Sequence, residues 1–305
     1  MHIDLWMSVA GLLVGFLVGL TGMGGGALMT PMLVIVFHVA PLAAVSSDLV
    51  ASLVMKPIGG AVHLRRGTVH KPLVSWLALG SIPAAFAGVL LLRGLGGNSA
   101  GVQHTVKLAL GITLLTAAAG IVLRAWLSLR AAGRSEAPPP VRVRPLPTLL
   151  VGVAGGLVVG MTSVGSGSLI IVALLFMYPG LSAAEVVGTN LVQAVPLVAS
   201  AALGHILFGD FRLDLTSSVL LGAVPGVYLG ARVSALGAHG IVQRALVGVL
   251  VLSGLKLLGA PNGYLLTALA LVVLAAIATR WVRPSSDGAS APAPTAVASV
   301  RADFA

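Results

Sequence analysis

"LTGMGGGALMTP", residues 20–31, lies inside a long apolar run and packs four glycines into five positions: Gly22, Gly24, Gly25 and Gly26. In a helix each costs about 1 kcal/mol relative to alanine. A plain apolar helix would not tolerate that, so the backbone is expected to break in the middle of a greasy segment. The stretch has an echo. Thr21, Gly24, Gly26 and Leu28 recur 141 residues later as Thr162, Gly165, Gly167 and Leu169. After a one-residue shift, Leu49, His63, Gly67, Gly80, Pro83 and Gly88 recur 142 residues later as Leu191, His205, Gly209, Gly222, Pro225 and Gly230. A constant offset over this length marks an internal repeat, a common construction of secondary transporters.

Composition sets the solvent. The 305 residues are 57% hydrophobic and 9% charged, against roughly 25% charged in a soluble domain. With a mean hydropathy of +1.05, the fold class is an all-α polytopic membrane protein. No cysteine is present, which excludes disulfides and thiolate metal sites. The opening "MHIDLWMSVAG" lacks a basic n-region, so the first membrane segment is expected near residue 5. A net charge of +10 reads as topology-setting Arg and Lys beside the membrane. It also suits an anionic substrate. No basic patch interleaved with aromatics stands on a soluble unit, which excludes nucleic acid as a partner.

Charges delimit the segments. Asp4 to Asp48 and Arg144 to Glu185 each enclose a stretch without Asp, Glu, Lys or Arg, about twice the ~20 residues of one crossing. Ordinary spans are expected at 44–64, 73–93, 104–124, 184–206, 215–236 and 241–258. The organisation reads as a first transmembrane repeat (1–130), a Pro/Arg linker (131–146), a second repeat (147–258), an extra transmembrane helix (259–283) and a disordered tail (284–305). Arg124, Arg130, Arg134, Arg142 and Arg144 against Glu136 place the linker in the cytoplasm. The loop of Arg65, Arg66 and Lys71 then faces the same side. Its counterpart in the second repeat carries Asp210 and Asp214 against Arg212. That loss of positive excess predicts inverted repeats, each opening with a glycine-broken re-entrant hairpin (5–40 and 147–179) whose arms of 14–16 residues are too short to cross. A single kinked crossing in place of each hairpin would make the repeats parallel.

The breaks suggest chemistry. Irregular backbone survives at membrane depth only inside protein or lining a cavity. New helices are expected to start at Ala27 and Ser168. A helix start offers amides and a positive dipole end to an anion. Thr21, Thr162, Ser163, Ser166 and Ser168 add hydroxyls, and Gly22, Gly24, Gly25, Gly26, Gly165 and Gly167 let a ligand approach the backbone. Two such tips brought together would cradle a small oxyanion near the midplane; close helix packing through small residues is the plainer reading. Gly22-x-Gly24-x-x-Ala27 imitates a dinucleotide fingerprint, but that pattern needs a soluble strand–turn–helix. No serine satisfies G-x-S-x-G, so hydrolysis is not expected, nor any enzymatic activity or cofactor.

The stretches "GFLVGLTGMGGGALMTPML" and "AVSSDLVASLVMKPIGGAVHLRRGTV", with their echoes "GLVVGMTSVGSGSLIIVALL" and "VVGTNLVQAVPLVASAALGHILFGDFRL", resemble the TauE/SafE sulfite exporter family, also called the toluene-sulfonate uptake permease family. The likeness covers about residues 8–258. It implies a bacterial inner-membrane carrier of sulfur-containing anions such as sulfite, sulfonates or related oxyanions. Asp48 and Lys56 stand where small polar residues are more usual in that family.

Ionisable residues inside a span are costly and point to function. Asp48 and Lys56 share one span but lie ~12 Å apart along it, too far to pair. A mid-span Lys56 is expected to face a cavity where an anion supplies its counter-charge, the structural alternative being an ion pair. Asp48 is a candidate carrier of a coupling proton or a helix cap. Asn190 occupies the corresponding helix of the second repeat and is a candidate substrate ligand, as is Gln193. His63 and His205 match across the repeats and read as interfacial caps or proton relays. No spacing suggests a metal site. Partners are expected to be a small anion and the bilayer; an oligomer is compatible with the sequence. The function so read is a secondary anion carrier, with an anion channel or a non-transport assembly or sensor subunit as alternatives.

Overall fold

A computed structural model describes residues 4–21, 25–96, 99–131, 141–167, 169–208, 211–234, 239–261, 263 and 267. The described residues are all-helical outside turns and short connections: α1 (Leu5–Thr21), α2 (Gly26–Ile35), α3 (Pro41–Arg65), α4 (Lys71–Gly94), α5 (Ala100–Ala131), α6 (Pro145–Thr162), α7 (Leu169–Met177), α8 (Ala183–Phe208), α9 (Leu213–Ser234) and α10 (His239–Leu257). Six of them are long and apolar enough to cross a membrane: α3, α4, α5, α6, α8 and α9. Large apolar side chains such as Trp6, Leu79, Ile112, Phe176 and Leu221 point outward, as lipid-facing positions do. The expected extra helix at 259–283 and the tail lie almost wholly outside the described residues.

The helices pair across the repeat. α1 packs chiefly on α9 and α4 on α6, while α3 packs on α8 and α5 on α10. Exchanging each helix for the one five later returns the same set of pairs. The equivalence reaches single atoms. A Cβ at Gly222 would overlap the Ser8 carbonyl, and one at the matching Gly80 would overlap the Leu149 carbonyl. Gly11, Gly15, Gly152, Gly156, Gly160, Gly222, Gly226 and Gly230 fall every fourth residue along α1, α6 and α9, so these helices approach backbone to backbone.

Both glycine-rich stretches interrupt helices, as expected, but the arms on either side are unequal. The first arms have 17 and 18 residues and the second arms 10 and 9, in place of the expected 14–16 each. The first arms lay their small-residue stripes along the middle of α9 and of α4. α6 begins at Pro145, since proline costs nothing in a first turn. The second arms end early at His38, in the left-handed region (φ 52), and at Pro179. Tyr178, just past α7, accepts the Arg144 N–H on its phenol oxygen at 2.9 Å, which returns the end of α7 to the start of α6.

Candidate functional site

Two elements converge on the polar stripe of α3: the start of α2 and the second break. A Cβ on Gly26 would overlap the Ser163 carbonyl, so the two breaks touch there through a residue with no side chain. The second break turns through Ser163 (φ 60) and Gly165 (φ 115). At Gly165 only glycine avoids strain. Thr162 was expected among the ligands, but its hydroxyl serves the break itself. It donates toward the carbonyls of Val158 (2.7 Å) and Val164 (3.1 Å). A hydroxyl so engaged shapes the turn and has little left to offer a ligand.

Asp48 is fully buried. Its Oδ2 accepts hydrogen bonds from Thr30 Oγ1 of α2 at 2.9 Å and from Ser163 Oγ of the second break. Its Oδ1 has no hydrogen-bond partner, and neither does the buried Ser52 Oγ. Both atoms lie 3.2 Å from the point a Cβ would occupy on Gly25. Two turns further along α3, the buried Lys56 donates through Nζ to Ser166 Oγ at 2.8 Å. That serine is its one hydrogen-bond partner among the described residues. Asp48, Ser52 and Lys56 stand at i, i+4 and i+8, a single helical stripe.

The geometry therefore differs from two equivalent tips sharing one anion. The start of α2 already faces a carboxylate, which its dipole favours. The cation, Lys56, faces the second break. Of the expected ligands, Gly25, Gly26, Lys56, Ser163, Gly165 and Ser166 belong to this region, and Gly167 lies partly buried in the turn after Ser166. Gly22, Gly24, Ser168 and the side chain of Thr21 lie outside the described residues.

Asn190 is buried on α8 with its Oδ1 unpartnered; Gln193 donates to Ser81 Oγ at 2.9 Å and leaves its Oε1 unpartnered. The histidines separate in environment. His205 is fully buried: Nε2–H donates to the Gly160 carbonyl at 2.8 Å, and Nδ1 faces Ser46 Oγ at 2.7 Å. It bridges the two halves rather than capping an interface. His63 is half-buried and paired locally with Thr68 Oγ1 at 2.8 Å. Thr30, Ser46 and Ser52 escaped the sequence reading. Only Ser52 left a usable signal, the four-residue spacing from both Asp48 and Lys56.

Apolar helices of spanning length, broken helices and a buried polar stripe between them define a multi-pass membrane protein of the transporter class. Residues 7–257 match the family model described as sulfite exporter TauE/SafE, and the chain belongs to that family. It is 37% identical over 248 residues to the probable membrane transporter protein YjnA of Bacillus subtilis (strain 168), covering 81% of this chain and 97% of that protein. It is 26% identical over 249 residues to the probable membrane transporter protein YdhB of the same organism, covering 81% and 96%. No solved structure matches.

Proposed function

We propose that the protein is a secondary carrier of small sulfur-containing anions (sulfite, organosulfonates or related oxyanions) working by alternating access around a midplane site. The observation that carries this reading is Lys56, a buried ammonium whose hydrogen-bond partner is a serine hydroxyl of the second break. An uncompensated ammonium at such a place costs several kcal/mol, and an anion seated between Lys56, Ser166 and the amides of the second break would offset it. The sulfur chemistry comes from the family; the positive charge of Lys56 suits an anion.

The pairwise exchange of helices supports two structural repeats; alternating access would come from rocking one against the other. The return of α7 toward the start of α6 supports a hairpin that enters and leaves on one side. With the basic linker in the cytoplasm of a bacterial inner membrane, the repeats are then inverted. Cysteines introduced at Thr68 and Arg212 should label from opposite sides; labelling from one side would sink the inversion.

Purified protein in liposomes decides the function. Sulfite, an organosulfonate, thiosulfate and sulfate are offered in turn, with and without an ion gradient. Saturable uptake of one or more of them by the wild type, lost in Lys56→Met, is the expected result. Flux that rises linearly with concentration would make the protein a channel, and no flux of any of them removes the anion reading.

A further inference from the structure

We propose that Asp48, Ser52 and Gly25 form a site for a small monovalent metal cation, with sodium as its occupant. Asp48 Oδ1 and Ser52 Oγ are both buried without partners. Each lies 3.2 Å from the place where a side chain would begin on Gly25, with the Met55 methyl against the same place at 2.8 Å, and they do not bond each other. A proton on the carboxylate would need an acceptor in direct reach. Two buried oxygens on neighbouring turns of α3, both beside Gly25 and both without partners, call instead for a ligand that each can reach. All the donors are oxygens, which selects a hard cation; a single carboxylate is too little charge for calcium, and a buried site leaves no room for the several waters magnesium keeps. Oδ2 is held by two hydroxyls, which leaves Oδ1 free to serve the ion. The Ser163 carbonyl meets the same stretch of chain at Gly26, and carbonyls of unwound helix are common sodium ligands in carriers. This assigns Asp48 to a metal ion in place of the coupling proton the sequence suggested.

The charge arithmetic links this ion to the anion. Asp48 and Lys56 together are neutral. A cation at Asp48 alone, or an anion at Lys56 alone, leaves one net charge in a poorly solvated site, while both together restore neutrality. Loading of one ligand therefore favours loading of the other. A monovalent anion would move with one sodium and carry no net charge. This coupling rests on the carrier reading above; the binding of sodium does not.

Two measurements separate these. First, the melting temperature of the purified, anion-free protein is followed against NaCl, with KCl or choline chloride keeping ionic strength constant. Binding to the folded state raises it in a saturable way. The expected result is a response to sodium that potassium and choline do not give, absent in Asp48→Asn. In Ser52→Ala the half-saturating sodium concentration should rise by at least about tenfold. Equal responses to all three salts, or a sodium response that survives Asp48→Asn, overturns the site. Second, in liposomes loaded without sodium, an inward sodium gradient should drive uptake of the transported anion at constant pH. Uptake that needs only a proton gradient overturns the coupling even where sodium binds. Anion flux without any sodium response leaves the carrier reading standing and removes this one.

Discussion

Helix α3 presents Asp48, Ser52 and Lys56 to the second break and the start of α2; the equivalent positions of α8 hold Asn190, Ala194 and Val198. The breaks differ in the same way. Ser163 and Ser166 of the second stand where the first has Gly22 and Gly25. The backbone frame is thus nearly two-fold, while the chemistry is not. One half supplies the charged stripe and one hydroxyl to it, Thr30 on Asp48; the other half supplies Ser163 on Asp48 and Ser166 on Lys56. A duplicated frame needs matched glycines, because backbone contacts such as Gly222 on Ser8 and Gly80 on Leu149 leave no room for a side chain. A charged site needs only one copy of its charges, and a second buried pair would add another desolvation cost.

The sharpest break of this comparison is to move the charge. Lys56→Met should lower anion affinity by on the order of 100-fold, as truncating one partner of a buried charge contact does. Adding Val198→Lys to it should not restore uptake in liposomes, since the first break, the counterpart of the one that meets Lys56, carries no serine. Rescue would mean that the halves are chemically interchangeable.

Frame symmetry is tested next. Gly80→Ala and Gly222→Ala should each destabilise the protein by about 1–3 kcal/mol through overpacking against backbone, and by similar amounts. Thermal unfolding in detergent reads both; a silent variant on one side would show that α1–α9 and α4–α6 are not equivalent packings.

The histidine pair sharpens the contrast. His63 and His205 are counterparts, and each lies beside the position that is Gly188 in one half and Ser46 in the other. His205→Ala should cost about 1–3 kcal/mol, because it leaves the buried Gly160 carbonyl without its donor. His63→Ala, at a half-buried site with a local partner, should cost about 0.5 kcal/mol or less. Equal losses would mean that the repeat preserves more than the backbone here.

The smallest effect is expected from Ser166→Ala. It removes one neutral hydroxyl from Lys56, and anion affinity should fall about fivefold, measured by concentration-dependent uptake. A loss as large as that of Lys56→Met would shift the weight of the site from the ammonium to the break.

Sequence alone determined what depends on one dimension. Hydropathy set the solvent and bounded the helices: the spans expected at 44–64 and 184–206 are α3 at Pro41–Arg65 and α8 at Ala183–Phe208. Glycine density located both breaks, and the constant offset exposed the repeat. These signals are local sums over neighbouring residues, so they survive without a fold. Tertiary structure decided which polar groups meet. Asp48 is joined to Ser163 and Lys56 to Ser166, pairs more than a hundred residues apart. Equal hairpin arms and two equivalent anion tips looked natural in the sequence. They gave way to long arms laid along α9 and α4, and to a carboxylate at the start of α2. Helix rotation and tilt settle such contacts. Here both follow from glycine stripes that let carbonyls of facing helices approach to van der Waals range, a condition that exists only once the two halves are packed together.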